Sequence, residues 1–178
     1  MFERVRKRIG LFYAKIHFHE PDTVQTFTDA VKRARSALII MPFQQIHSEM
    51  SWPLLQFVQN RFRGSNLTVI VPDEARPVVR QLPRCEVIHL HHNDIGSFSL
   101  PKRGIIHRIQ RNEYDLVLDL NLEFSLAAAY LCKASRSRLR VGFATEYADT
   151  FFNLQIKTDG ARNVKTTYER LAACLGMF

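Results

Sequence analysis

Apolar residues recur along this chain in two rhythms. In FERVRKRIGLFYAKIHF, Phe2, Val5, Ile9, Phe12 and Ile16 fall at steps of three and four, so they share one helical face. Arg4, Arg6, Lys7, Arg8 and Lys15 fall mostly outside that face, and Gly10 weakens the helix by ~1 kcal/mol relative to Ala. PDTVQTFTDAVKRARS predicts a second helix, with Asp22 or Thr23 as its cap and Val24, Phe27, Ala30 and Val31 along one side. Beyond it the rhythm changes. SALIIM, LTVIVP, CEVIHL, YDLVLDL and LRVGF are apolar runs of strand length, and FFNLQIK reads as a sixth extended piece. Between them lie segments of helical period at 52–62, 101–112 and 123–133, with Gly64 as a stop signal after the first. Asp73 is placed to cap a short helix carrying Val78, Val79 and Leu82. Asn163 is placed to cap a last helix carrying Val164, Tyr168, Leu171 and Leu175.

Strands apolar throughout and separated by helices belong in a sheet covered on both faces. The pattern therefore predicts an α/β protein: a three-layer α/β/α Rossmann-like sandwich with a mostly parallel, doubly wound sheet, plus N-terminal helices. The corresponding division is a helical extension over 1–35 and a Rossmann-like domain over 36–178. The first helix has three readings: docked on its own domain, self-associating, or lying on an anionic membrane surface. The helix over 22–35 is expected to cover apolar surface of the domain. In such folds ligands sit at the carboxyl ends of the strands, near the point where strand order reverses. The turn PFQQIHSEM and the segment after YDLVLDL are thus the first places to look, and the turn contains no glycine.

Composition narrows this picture little. The chain has 178 residues, 46% hydrophobic and 24% charged, which suits one globular domain. Its formal charge of +8 favours anionic partners: nucleic acid, phosphosugars, nucleotides or acidic lipid. No RNA-recognition, KH or helix-turn-helix pattern accompanies the charge, so nucleic acid is not expected. No apolar run has the length of a membrane span, leaving peripheral contact with an inner membrane as the membrane reading. Cys85, Cys132 and Cys174 are odd in number and far apart, which fits a reducing cytoplasm.

Motif chemistry is mostly excluded. There is no G-x-G-x-x-G, no G-x-x-x-x-G-K-[ST] and no G-x-S-x-G. His89, His91 and His92, with Asp94 nearby, match no established metal spacing; neither a metal nor a cofactor is expected. The basic run KASRSRLR and the group Lys102, Arg103, Arg108 and Arg111 read as solvated faces. Asp115 and Asp119 bracket the strand YDLVLDL. Asp119 either points into the ligand crevice or caps the following helix.

The segment NEYDLVLDLNLEFSLAAAYLCKASRSRLRVGF resembles the fourth-strand region of the heptosyltransferases, glycosyltransferase family 9. There a Tyr-Asp strand ending in Asp is followed by a Gln-Gly turn, an Ala/Leu-rich helix, basic residues and an Arg-Ile-Gly-Phe strand, which Arg140, Val141, Gly142 and Phe143 resemble closely. ALIIMP, the Pro53 helix, LTVIVPDEARPVV, FFNLQIK and TYERLAACLG resemble further segments in the family's order, over about 36–176. The resemblance implies the acceptor-side domain of a two-domain GT-B transferase, without the half that binds the nucleotide-sugar donor ADP-heptose. It also implies that Phe43, Gln44, Gln45, Ile46 and His47 stand on the family's Ser-Ser-Leu-Gly-Asp motif. Ile46 then replaces the glycine and His47 the presumed base, while Asn121 and Leu122 replace Gln and Gly. The candidate site is accordingly His47 and Glu49 as catalytic positions, with Gln44, Gln45, Asp119 and Asn121 as ligand contacts. Three functions follow as expectations. One is a domain that binds a saccharide or lipopolysaccharide-type acceptor, or a partner chain, and is not catalytic alone. The second is a transferase or subunit using ADP-heptose or another nucleotide sugar, completed by a donor domain on another chain or by homo-oligomerisation. The third is a basic module for a membrane surface or nucleic acid.

Overall fold

The computed structural model describes residues 2–19, 26–62, 66–75, 85–158 and 163–177. Six parallel strands form one sheet: β1 (Ala37–Ile40), β2 (Leu67–Pro72), β3 (Glu86–Leu90), β4 (Leu116–Asp119), β5 (Leu139–Phe143) and β6 (Leu154–Ile156). Their spatial order is β3-β2-β1-β4-β5-β6. This is the doubly wound order, with its switch point between β1 and β4, and it bears out the expected fold class. Every residue of β1, β2, β4 and β5 is buried, as strands covered on both faces require.

Two apolar layers sandwich the sheet. On one face Ile39, Val69, Leu118 and Val141 meet α2 (Phe27–Arg33), α4 (Trp52–Arg61) and the last helix, α7 (Val164–Gly176). On the other, Leu38, Ile40, Ile70 and Val117 meet α5 (Arg103–Ile109), α6 (Leu126–Ala134) and α1 (Phe2–His17). The Asn163 side chain caps α7 as expected, accepting the Lys165 N–H at 3.0 Å. The expected signals at Asp22, Thr23, Val24, Gly64, Val78, Val79 and Leu82 lie outside the described residues.

α1 docks on its own domain, but through the face opposite to its apolar stripe. Gly10, Leu11, Ala14 and Phe18 turn inward, whereas Phe2, Val5, Ile9, Phe12 and Ile16 remain exposed. The reason is steric. A Cβ on Gly10 would lie 2.1 Å from the Phe98 carbonyl oxygen and 3.1 Å from Leu126 Cδ2, so only glycine lets the helix sit this close. Phe18 then packs on Tyr130 and Phe151, at ring separations of 4.8 and 6.3 Å.

The motif RVGF is a packing device. A Cβ on Gly142 would come within 2.8 Å of the Phe152 ring. The buried Arg140 guanidinium donates from Nε to the Phe151 carbonyl (2.9 Å) and from Nη1 to the Ser137 carbonyl (2.6 Å). A buried cation needs such partners. Arg136 and Arg138, by contrast, are exposed beyond the amino end of β5, at the opposite end of the sheet from the crevice.

Candidate functional site

At the switch point, Ile40 of β1 pairs in register with Asp119 of β4, so the chain leaves both strands side by side. The two acidic residues of YDLVLDL clasp β1 at its two ends. At the amino end, Asp115 Oδ2 accepts the N–H groups of Arg35 (2.8 Å) and Ser36 (3.1 Å). At the carboxyl end the clasp runs through Asn121. Asp119 Oδ1 accepts from the Asn121 N–H (3.0 Å) and from Asn121 Nδ2 (2.7 Å), and Asn121 Oδ1 accepts the Phe43 N–H at 2.9 Å. Asp119 is therefore buried, 4% exposed, and serves neither expected role. It does not open into the crevice, and the helix that follows is capped by Ser125, whose hydroxyl accepts the Ala128 N–H at 3.4 Å. Burial raises the Asp119 carboxyl to about 7, against the lowering effect of the Asn121 bonds. A carboxyl tuned to neutrality is a candidate for proton transfer. Here geometry decides against it, because a general base must reach its substrate.

The turn after β1 coils almost at once into α3 (Gln45–Met50). Its freedom from glycine has a local cause: Gln44 has extended backbone, and among the described residues the non-glycine positive φ values occur only at Ser99, Arg136 and Tyr147. The buried Ser48 hydroxyl donates to the Pro42 carbonyl at 2.9 Å, and the Ser51 hydroxyl to the Ser48 carbonyl at 2.8 Å. These serines, which spacing did not single out, hold the bend. α3 packs against α7. The Tyr168 hydroxyl of α7 donates to the Leu120 carbonyl at 2.7 Å, fixing the helix to the end of β4.

The other candidates fall on or beside α3. His47 is half-buried; Gln44, Gln45 and Glu49 are exposed. Gln44 Nε2 donates to Glu123 Oε2 and Gln45 Nε2 to Glu49 Oε1, each at 3.3 Å. His47 and Glu49 are thus one helical turn beyond the Phe43–Asn121 clasp, and Gln44 adds a second bridge to the β4 side through Glu123. The histidines after β3 pair with the turn after β2: His91 Nδ1 lies 3.1 Å from Asp73 Oδ1, and His92 Nε2 3.2 Å from Glu74 Oε1. Among the described residues no group of three or more His, Cys, Asp or Glu side chains could hold a metal ion.

A second feature at the same edge was not legible from spacing. Between α1 and the loops after β4 and β5 lies a cavity of about 460 Å³, lined by Arg4, Lys7, Arg8, Phe124, Glu146 and Tyr147. Lys7 Nζ lies 5.9 Å from the Phe124 ring centre and Lys15 Nζ 5.0 Å from that of Tyr147. The two rings meet edge to face at 5.7 Å. Tyr147 is left-handed, φ 71°, a conformation uncommon for a bulky residue. Three cations beside two aromatic rings suit an anionic ligand with apolar ring faces.

The architecture has counterparts among solved structures. The glycosyl transferase family 9 protein from Veillonella parvula DSM 2008 superposes with a TM-score of 0.62 at 14% identity, over 81% of this chain and 42% of that one. E. coli heptosyltransferase WaaC with ADP gives a TM-score of 0.56 at 14% identity, over 78% of this chain and 46% of that one. The chain thus spans less than half the length of these proteins, and at such identity the likeness is one of fold. No curated protein matches the sequence. The model of the Family of unknown function (DUF6913) matches residues 23–178, and the chain belongs to that family.

Proposed function

We propose that this chain is a glycosyltransferase-like binding domain, not catalytic by itself, that holds an acidic saccharide of the lipopolysaccharide-acceptor type at the carboxyl edge of its sheet. One observation carries the reading. The Phe43 N–H, the backbone donor where the chain leaves β1 for the crevice, is already bound to Asn121, and the nearest strand-end carboxyl is sealed beneath it. A site built to activate a sugar hydroxyl needs an accessible base and room at that point. The cationic cavity beside it supports binding in place of turnover. Incubating the purified chain with ADP-heptose and a lipopolysaccharide inner-core acceptor tests this. The expected result is no transfer, together with acceptor-induced amide shifts at Phe124 and Tyr147. Transfer without another protein overturns the reading.

A second reading, a transferase subunit completed by a donor domain on another chain, is favoured by His47, half-buried on the helix that directly follows β1. In that assembly His47→Ala abolishes transfer; an unchanged rate removes His47 from the role.

A further inference from the structure

We infer that α1 is an interfacial helix that lays its outer face on an anionic lipid bilayer, a role independent of whether the crevice binds a saccharide. Phe2, Val5, Ile9, Phe12, Tyr13 and Ile16 are 49 to 84% exposed and form one continuous stripe. The stripe cannot be the face that holds the helix in place, because Gly10, Leu11, Ala14 and Phe18 do that from the other side. A contiguous apolar patch on a structured helix marks a contact surface. This one includes Tyr13, an aromatic type enriched at the lipid–water boundary, and Phe2 and Phe12, of a type that interfacial helices carry on their buried face.

Charge selects the occupant. α1 carries Arg4, Arg6, Lys7, Arg8 and Lys15 against a single acid, Glu3. On a helical projection Arg6 borders the stripe on one side and Arg8 on the other, with Arg4 and Lys15 beyond Arg8. A second copy meeting this face would set like charges along both borders of the seam. A nucleic acid would leave the apolar residues unused. An acidic lipid surface meets both features at once: headgroups take the cations, and the acyl boundary takes the stripe. The helix is 16 residues long, about 24 Å at 1.5 Å per residue. Among the described residues no helix is long and apolar enough to cross a membrane, so this one lies flat.

Co-sedimentation with vesicles of phosphatidylcholine alone, and of phosphatidylcholine mixed with phosphatidylglycerol, tests the inference on the full chain. The chain is expected to pellet with the mixed vesicles and not with phosphatidylcholine alone. Ile9→Glu with Phe12→Glu should weaken partitioning by roughly tenfold or more, since apolar burial and charge both supply the affinity. Arg6→Glu with Lys15→Glu leaves the stripe intact and should also weaken it. Both pairs occupy exposed positions, and an unchanged thermal midpoint shows that the fold persists. Absence of binding to the mixed vesicles overturns the proposal, as does binding indifferent to either pair. A dimer in solution that dissolves on Ile9→Glu with Phe12→Glu overturns it in favour of a second copy.

Discussion

Replacing Gly10 by Ala sets two physical effects against each other. In a helix surrounded by water the change stabilises by ~1 kcal/mol, because alanine forgoes glycine's conformational freedom. In α1 as it sits here, the new methyl would fall 2.1 Å from the Phe98 carbonyl oxygen and 3.1 Å from Leu126 Cδ2. Comfortable carbon–oxygen contacts lie at about 3.3–3.6 Å, so helix and loop must part by more than 1 Å. The obstruction is backbone, not the end of a flexible side chain, which places the cost near the upper end of ~1–3 kcal/mol for overpacking. Subtracting the helical gain leaves a net loss of ~2 kcal/mol, roughly 4–8 °C of thermal midpoint for a chain of this size. Gly104 supplies the control. It lies in α5, and a Cβ there meets nothing within 4 Å. Gly104→Ala should therefore raise the midpoint by up to ~1 kcal/mol equivalent, about 2–4 °C. Thermal denaturation by circular dichroism reads both variants, and trypsin cleavage at Arg4, Arg6, Lys7 and Arg8 reports release of α1. A Gly10→Ala midpoint at or above that of the unmodified chain refutes the docking geometry.

Three further outcomes are expected. Asn121→Ala orphans the Phe43 N–H and strips the side-chain donor from Asp119 while the backbone N–H of residue 121 stays, costing ~1–3 kcal/mol, or roughly 2–12 °C of midpoint; a loss under about 1 °C would sink the clasp. Asp119 holds its proton to about pH 7 when folded against an ordinary value of 3.8, so between these the native state binds the proton that the unfolded chain has released. Its contribution to stability is greatest at low pH, falls as pH rises through that window and levels off above it; Asp119→Asn should flatten this decline. A carboxyl-carbon titration by NMR should show the midpoint near neutrality, and a value in the ordinary aspartate range would contradict the burial argument. Gly142→Ala should destabilise by ~1–3 kcal/mol through the Phe152 ring, and Phe152→Leu in the same chain should recover part of the loss. Strict additivity of the two would count against that contact.

The fold was legible because its strands are short, apolar and separated by helical periods, and all six fall within the segments the pattern marks. Element interiors carry that information; roles at strand ends do not. Asp119 reads equally as cap or as crevice residue, since both place a carboxylate after a strand. Only the neighbouring asparagine and the later Ser125 decide. The serines at 48 and 51 could have signalled a helical turn, since such hydroxyls commonly satisfy carbonyls at a bend. For α1, periodicity found the apolar face but not its destination. The clue was the small pair Gly10 and Ala14, one turn apart, which admits a neighbour more closely than any large side chain. Within RVGF, one of the segments that carry the resemblance, packing accounts for Arg140 and Gly142.

The closeness of α1 to Phe98 and Leu126 also sets a timetable. Both contacts lie roughly a hundred residues further along the chain, and synthesis proceeds at about 5–20 residues per second, so the helix emerges roughly 5–20 s before the surface that receives it. Contacts so distant in sequence form late. In that interval the inner face of the helix lacks the surface that covers it in the folded chain.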